Sequence, residues 1–226
     1  MGEPVLGWVL GFIGGAIAVR IVLSINGLDA GELDELSLGW QAVAQLGLWF
    51  GLLGTPLVVS RWKGNGPADD LGLRITGRDV PLGIVVGFVS QWVILWIVYL
   101  PLQLFTDITS SDISEPAQEL TDKAGDALGV VLLILIVGIG APIVEEIFFR
   151  GFLQPALIQR FGEPLGIGGA ALAFAVTHFQ TLQLPALFLF GIVLGIVARR
   201  YGRLGPAIVA HMVFNLTAVI SLLVAG

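Results

Sequence analysis

The chain has 226 residues, of which 56% are hydrophobic and only 12% charged, with mean hydropathy +0.92 and net charge −6. A globular protein carries roughly 25% charged residues, so a soluble domain is excluded and a multi-spanning membrane protein is left. With no cysteine, disulfides, thiolate nucleophiles and cysteine metal sites are excluded together, and no basic patch interleaved with aromatics points to nucleic acid.

In chain order, a first span is expected at about 5–25, with Gly11, Gly14 and Gly15 offering close helix contact. No basic n-region precedes it, so it reads as a retained span, not a cleaved signal. The loop 26–37 carries Asp29, Glu32, Asp34 and Glu35 and no base. A second span follows at about 38–60, then a loop with Arg61, Lys63, Arg74 and Arg78. A third runs over about 80–105. The polar stretch 106–127 has room for a short surface helix. The fourth starts near Leu128, the fifth covers about 165–180, the sixth about 184–199 and the seventh about 204–225. The expected fold is all-α: one polytopic membrane domain over 1–226, with about seven transmembrane helices around a polar cavity inside the membrane. Eight of the eleven Lys and Arg fall after span two, at the end of span four and after span six: Arg61, Lys63, Arg74, Arg78, Arg160, Arg199, Arg200 and Arg203. By the positive-inside rule this puts a multi-pass chain in the cell membrane, N-terminus cytoplasmic and C-terminus outside.

The stretch Pro142-Ile-Val-Glu-Glu-Ile-Phe-Phe-Arg150 sets three charges in apolar sequence. Each costs a few kcal/mol in a bilayer, roughly 3 on insertion scales, so three in six residues need partners or a task. On a helix Glu146 and Arg150 share a face and can pair. Glu145 is turned by about 100° from Glu146 and is left free for chemistry. A purely structural ion-pair cluster is the competing reading. Both histidines of the chain also fall in spans: His178 closes Phe174-Ala-Val-Thr-His178, and His211 stands one helical turn before Asn215. With a helix continuing to Arg160, Glu145 lies about 22 Å in, His178 about 21 Å, Asn215 about 18 Å and His211 about 12 Å. These groups can therefore meet in one layer.

The set contains a carboxylate base, two imidazoles and an amide donor. Glu145 with His178 can activate a water, and His211 with Asn215 can stabilise an oxyanion. Together they suit peptide-bond hydrolysis without a covalent intermediate. Glu145, His178 and His211 could alternatively hold Zn²⁺ with a water in its open position. No His-Glu-x-x-His, Gly-x-Ser-Gly or Gly-x-Gly-Asp motif of other intramembrane proteases is present.

In order, Glu145-Glu-x-x-x-Arg150, Phe174-x-x-x-His178 and His211-x-x-x-Asn215 resemble the three motifs of the CAAX protease and bacteriocin-processing (CPBP, or Abi) family, intramembrane proteases related to the type II CAAX prenyl endopeptidases. The resemblance covers about 128–223. It implies water activation by Glu145 and His178, transition-state stabilisation by His211 and Asn215, and support from Glu146, Arg150 and Phe174. It also implies a membrane-associated protein or peptide as substrate, prenylated or not, within the lipid bilayer. Two other readings compete: a proton-coupled transporter using the same acids and histidines, and a non-catalytic scaffold or immunity protein.

Overall fold

Hydrocarbon offers no hydrogen-bond partner, so apolar runs of this length satisfy their backbone internally, as helices. The computed structural model describes residues 2–225 and, among these, contains helices and no strand. The helices are α1 (Gly2–Asn26), α2 (Leu38–Lys63), the short α3 (Pro67–Asp70), α4 (Asp79–Phe105), α5 (Ser110–Asp122), α6 (Ala127–Phe161), α7 (Glu163–Thr177), α8 (Leu184–Tyr201) and α9 (Gly205–Ala225). Six of them, α1, α2, α4, α6, α8 and α9, are long and apolar enough to cross a membrane. The seventh, α7, is apolar but has only 15 residues, about 22 Å against a hydrocarbon core of roughly 30 Å. It stops short of the expected end at 180. Phe179 takes a left-handed φ of 54°, and the chain turns over 178–183 into α8. His178 therefore caps α7 and does not sit mid-helix.

Small residues set the tightest contacts. A Cβ on Gly51 of α2 would lie 2.1 Å from the Gly11 nitrogen of α1, so these two backbones touch directly. Gly87 of α4 does the same against α9, where a Cβ would stand 2.3 Å from the Ala210 carbonyl oxygen. Large apolar side chains point outward instead. Val9, Ile13, Ile17 and Ile21 on α1 and Phe88, Trp92 and Trp96 on α4 are exposed, as lipid-facing surfaces require.

The basic end of the bundle is tied by ion pairs. Lys63 at the end of α2 bonds Glu3 at the start of α1 (3.0 Å), and Arg199 bonds Glu163 (2.7 Å). Asp79, fully buried at the start of α4, is gripped by Arg203 through Nε and Nη2 (3.0 and 2.6 Å). The Leu204 and Gly205 N–H groups donate to the carbonyls of Gly72 and Arg74, which stitches the 71–78 loop to the α8–α9 turn. At the opposite end the expected surface helix is α5. Its Thr109–Asp112 capping box holds the Asp112 carboxyl below the usual carboxylate range through the Thr109 hydroxyl.

The central element is α6. Its 35 residues would extend about 52 Å, and two stretches, Ile134–Gly140 and Glu146–Leu153, adopt the wider π register. Each ends two residues before a proline, Pro142 or Pro155. The N–H of Ala141 reaches back five residues to Ile136, and that of Gln154 reaches five back to Phe149. A proline ring clashes with the carbonyl four residues back, and a locally wider turn relieves that clash.

Candidate active site

The site grows from α6. Glu146 and Arg150 project from one face and bond at 2.7 Å, both side chains fully buried. The Arg150 Nη2 also donates to the Gly191 carbonyl of α8 (3.3 Å), and one turn on, the Gln154 Nε2 donates to the Gly195 carbonyl (3.0 Å). Residues 146, 150 and 154 thus form a polar stripe at four-residue spacing against α8. A second bond reaches Glu146 from α9, where the His211 Nδ1 lies 2.9 Å from the same Oε1 that Arg150 binds.

Glu145 is turned away from this stripe, as its rotation predicts. Its Oε2 is 3.7 Å from His211 Nε2, so His211 stands between the two glutamates. Glu145 and His178 line one cavity of about 190 Å³, with Gln45, Leu48 and Leu52 of α2, Phe149 and Thr177 completing the wall. The His178 Nδ1 pairs with the Phe174 carbonyl oxygen at 2.8 Å, leaving Nε2 as the open ring nitrogen. Phe174 is fully buried at the centre of the group. Its ring meets His178 (4.7 Å), His211 (5.6 Å) and Phe149 (5.5 Å) edge-on, and the Arg150 guanidinium lies 4.5 Å from its centroid. Phe190 of α8 closes the other side of His211 at 5.3 Å.

Asn215 is held by a local feature of α6. The π register gives the Ala141 N–H to Ile136, and Pro142 has no N–H, so the Val137 carbonyl is left without a helical partner. The Asn215 Nδ2 donates to that carbonyl at 2.9 Å, and its second N–H remains uncommitted.

Behind the ion pair, a larger cavity of about 670 Å³ opens at the basic end, with Ser60, Lys63, Arg150, Gln154 and Arg203 in its wall. Arg150 Nε and Gln154 Oε1 are buried there without a partner. The linked groups Glu145, His211, Glu146 and Arg150 therefore run from the small cavity to the large one.

Among the described residues, no three His, Asp or Glu side chains are grouped to hold a metal ion. His211 Nδ1 is engaged by Glu146 and His178 Nδ1 by a backbone oxygen, which leaves their Nε2 atoms for a ligand, but Glu145, His178 and His211 are not gathered closely enough to hold Zn²⁺ as folded.

Residues 127–217 match the family described as type II CAAX prenyl endopeptidase Rce1-like. This segment is similar to that family. It contains all seven side chains picked out in the sequence, from Glu145 to Asn215, and leaves α1 to α5 outside. No curated protein and no solved structure matches the chain. Sequence reasoning missed Gln154, Phe190 and Gln45. The spacing 146, 150, 154 pointed to Gln154, whereas Phe190 carries no signal that separates it from the other apolar residues of α8.

Proposed function

We propose that the chain is an intramembrane endopeptidase that hydrolyses a peptide bond of a membrane-anchored substrate with a water activated by Glu145 and His178. The observation that carries this reading is the inequality of the two glutamates. Glu146 is consumed by Arg150 and His211, while Glu145 faces a cavity shared with an imidazole. A carboxylate and an imidazole on one small cavity are the pair needed to hold and deprotonate a water.

In the proposed reaction the water oxygen bonds to the scissile carbonyl carbon as Glu145 takes its proton. The negative charge passes to the former carbonyl oxygen. There the free N–H of Asn215 and the imidazole of His211, whose Nδ1 is held by Glu146, stabilise it. Collapse breaks the C–N bond, and the proton held by Glu145 goes to the departing amine. The substrate class is a prenylated or otherwise membrane-anchored protein tail, following the family's description. The basic end of the bundle faces the cytoplasm, with the N-terminus there and the C-terminus on the far side.

The test is cleavage of a fluorogenic farnesylated CAAX peptide by protein in liposomes. Wild type should cleave it, and Glu145→Gln should lose about 10²-fold or more in rate, the scale for a general base, with its melting point in detergent unchanged. A zinc chelator should leave the wild-type rate intact. Full activity in folded Glu145→Gln would reject Glu145 as the base. Chelator loss restored by Zn²⁺ would replace the metal-free reaction.

A further inference from the structure

A substrate strand that enters a cavity inside the membrane leaves water behind, and each of its peptide N–H and C=O groups then needs a partner from the protein. The small cavity offers few. Leu48, Leu52 and Phe149 are apolar. The Thr177 hydroxyl donates to the Ala173 carbonyl (2.6 Å) and accepts from the Trp8 indole N–H (3.1 Å), so it is occupied on both counts. Three polar side-chain groups remain: the Glu145 carboxylate, the His178 Nε2 and the side-chain amide of Gln45. The first two are assigned to the water. Gln45 projects from α2 with apolar Leu48 and Leu52 beside it on the wall, and its amide bonds no other described residue.

Resting on the peptidase reading above, we infer that Gln45 binds the backbone of the substrate, its Oε1 accepting from a peptide N–H and its Nε2 donating to a peptide C=O beside the scissile bond. An amide is the side chain that matches both halves of a peptide group at once. The cavity's 190 Å³ equals about six water volumes of roughly 30 Å³ each, which admits one peptide unit together with the reacting water. Gln45 lies outside the matched segment 127–217, so α2 supplies substrate binding to a centre whose chemistry sits on α6, α7 and α9. Because the contact is with backbone, it orients the strand without selecting its side chains.

The experiment pairs a protein change with a substrate change. Wild type, Gln45→Leu and Gln45→Met are assayed in liposomes on the farnesylated CAAX peptide. The same proteins are then given two depsipeptide analogues, each with one amide N–H flanking the scissile bond replaced by an ester oxygen. Loss of both neutral hydrogen bonds should lower kcat/KM about tenfold to a hundredfold, carried mainly by KM, in both variants, with melting points unchanged. One of the two analogues, which removes the N–H bond alone, should cost wild type about tenfold at most and cost Gln45→Leu nothing further, which a merely structural glutamine would not produce. Unchanged kcat/KM in the variants, or losses that multiply with both analogues, would overturn the role of Gln45 and leave the peptidase reading standing. If wild type neither cleaves the peptide nor, as Glu145→Gln, binds its fluorescent form, the peptidase reading falls and the role of Gln45 falls with it.

Discussion

Two adjacent glutamates on one helix end in opposite circumstances, and the difference follows from rotation alone. A step of about 100° turns Glu146 into the packed seam with α8 and α9, where it accepts from Arg150 and His211, and turns Glu145 onto a cavity. That asymmetry was legible in the sequence because four-residue spacing and the cost of intramembrane charge are both local properties. The position of His211 between the two carboxylates was not, since it depends on how far α9 rises past α6. Arg150 is the residue whose loss should show most in stability. Arg150→Ala leaves Glu146 buried with one partner fewer and empties space beside the Phe174 ring, so detergent melts should register a loss of about 3–5 kcal/mol, the scale for breaking a buried pair from one side. Glu146→Gln should be milder, because the amide oxygen still accepts from Arg150. A wild-type melting point for Arg150→Ala would show that the pair does not hold the seam together.

At the scale of elements, the site depends on helices that approach more closely than ordinary side chains allow. Leu48 and Leu52, which wall the cavity, lie on the same stretch of α2 as Gly51, whose α-carbon rests against the α1 backbone at Gly11. Gly51→Val places a side chain where a Cβ alone would already stand 2.1 Å from a backbone nitrogen. The two helices must separate, lowering the melting point by several degrees, the scale of about 1 kcal/mol or more lost. Cleavage should fall with it although no polar group of the site is touched. Unaltered melting and cleavage in Gly51→Val would mean that α1 is not needed to hold the α2 wall. The glycines of α1 announce this packing in the sequence. The π stretches of α6 do not, although each precedes a proline that is plain to see. Pro142 indicates only that a turn will be disturbed; that Asn215 would fill the carbonyl so released requires the fold.

The arrangement of the whole molecule decides its topology more firmly than a count of spans does. The short α7 leaves such a count open, since its 15 residues fall below the length that crosses a bilayer. The helix ends do not share that ambiguity. Glu3 at the start of α1 bonds Lys63, and Lys63 lines the same basic-end cavity as Arg203 and Leu204, just before α9 begins. The first residues of α1 and of α9 therefore lie at one end of the bundle. From there α9 runs 21 residues, about 31 Å, which carries its last turn to the opposite end. In the orientation proposed above, the two termini lie on opposite sides of the membrane whether or not α7 crosses completely, and Lys63, Arg199 and Arg203 near the starts of α1 and α9 are the charges that argue for a cytoplasmic side at that end. A reporter that is active only in the cytoplasm should give signal when fused to the N-terminus and none when fused to the C-terminus, and a periplasm-active reporter should give the reverse. Cytoplasmic signal from both ends would mean that α9 does not traverse the bilayer, and with it the proposed depth of His211 and Asn215 would fail.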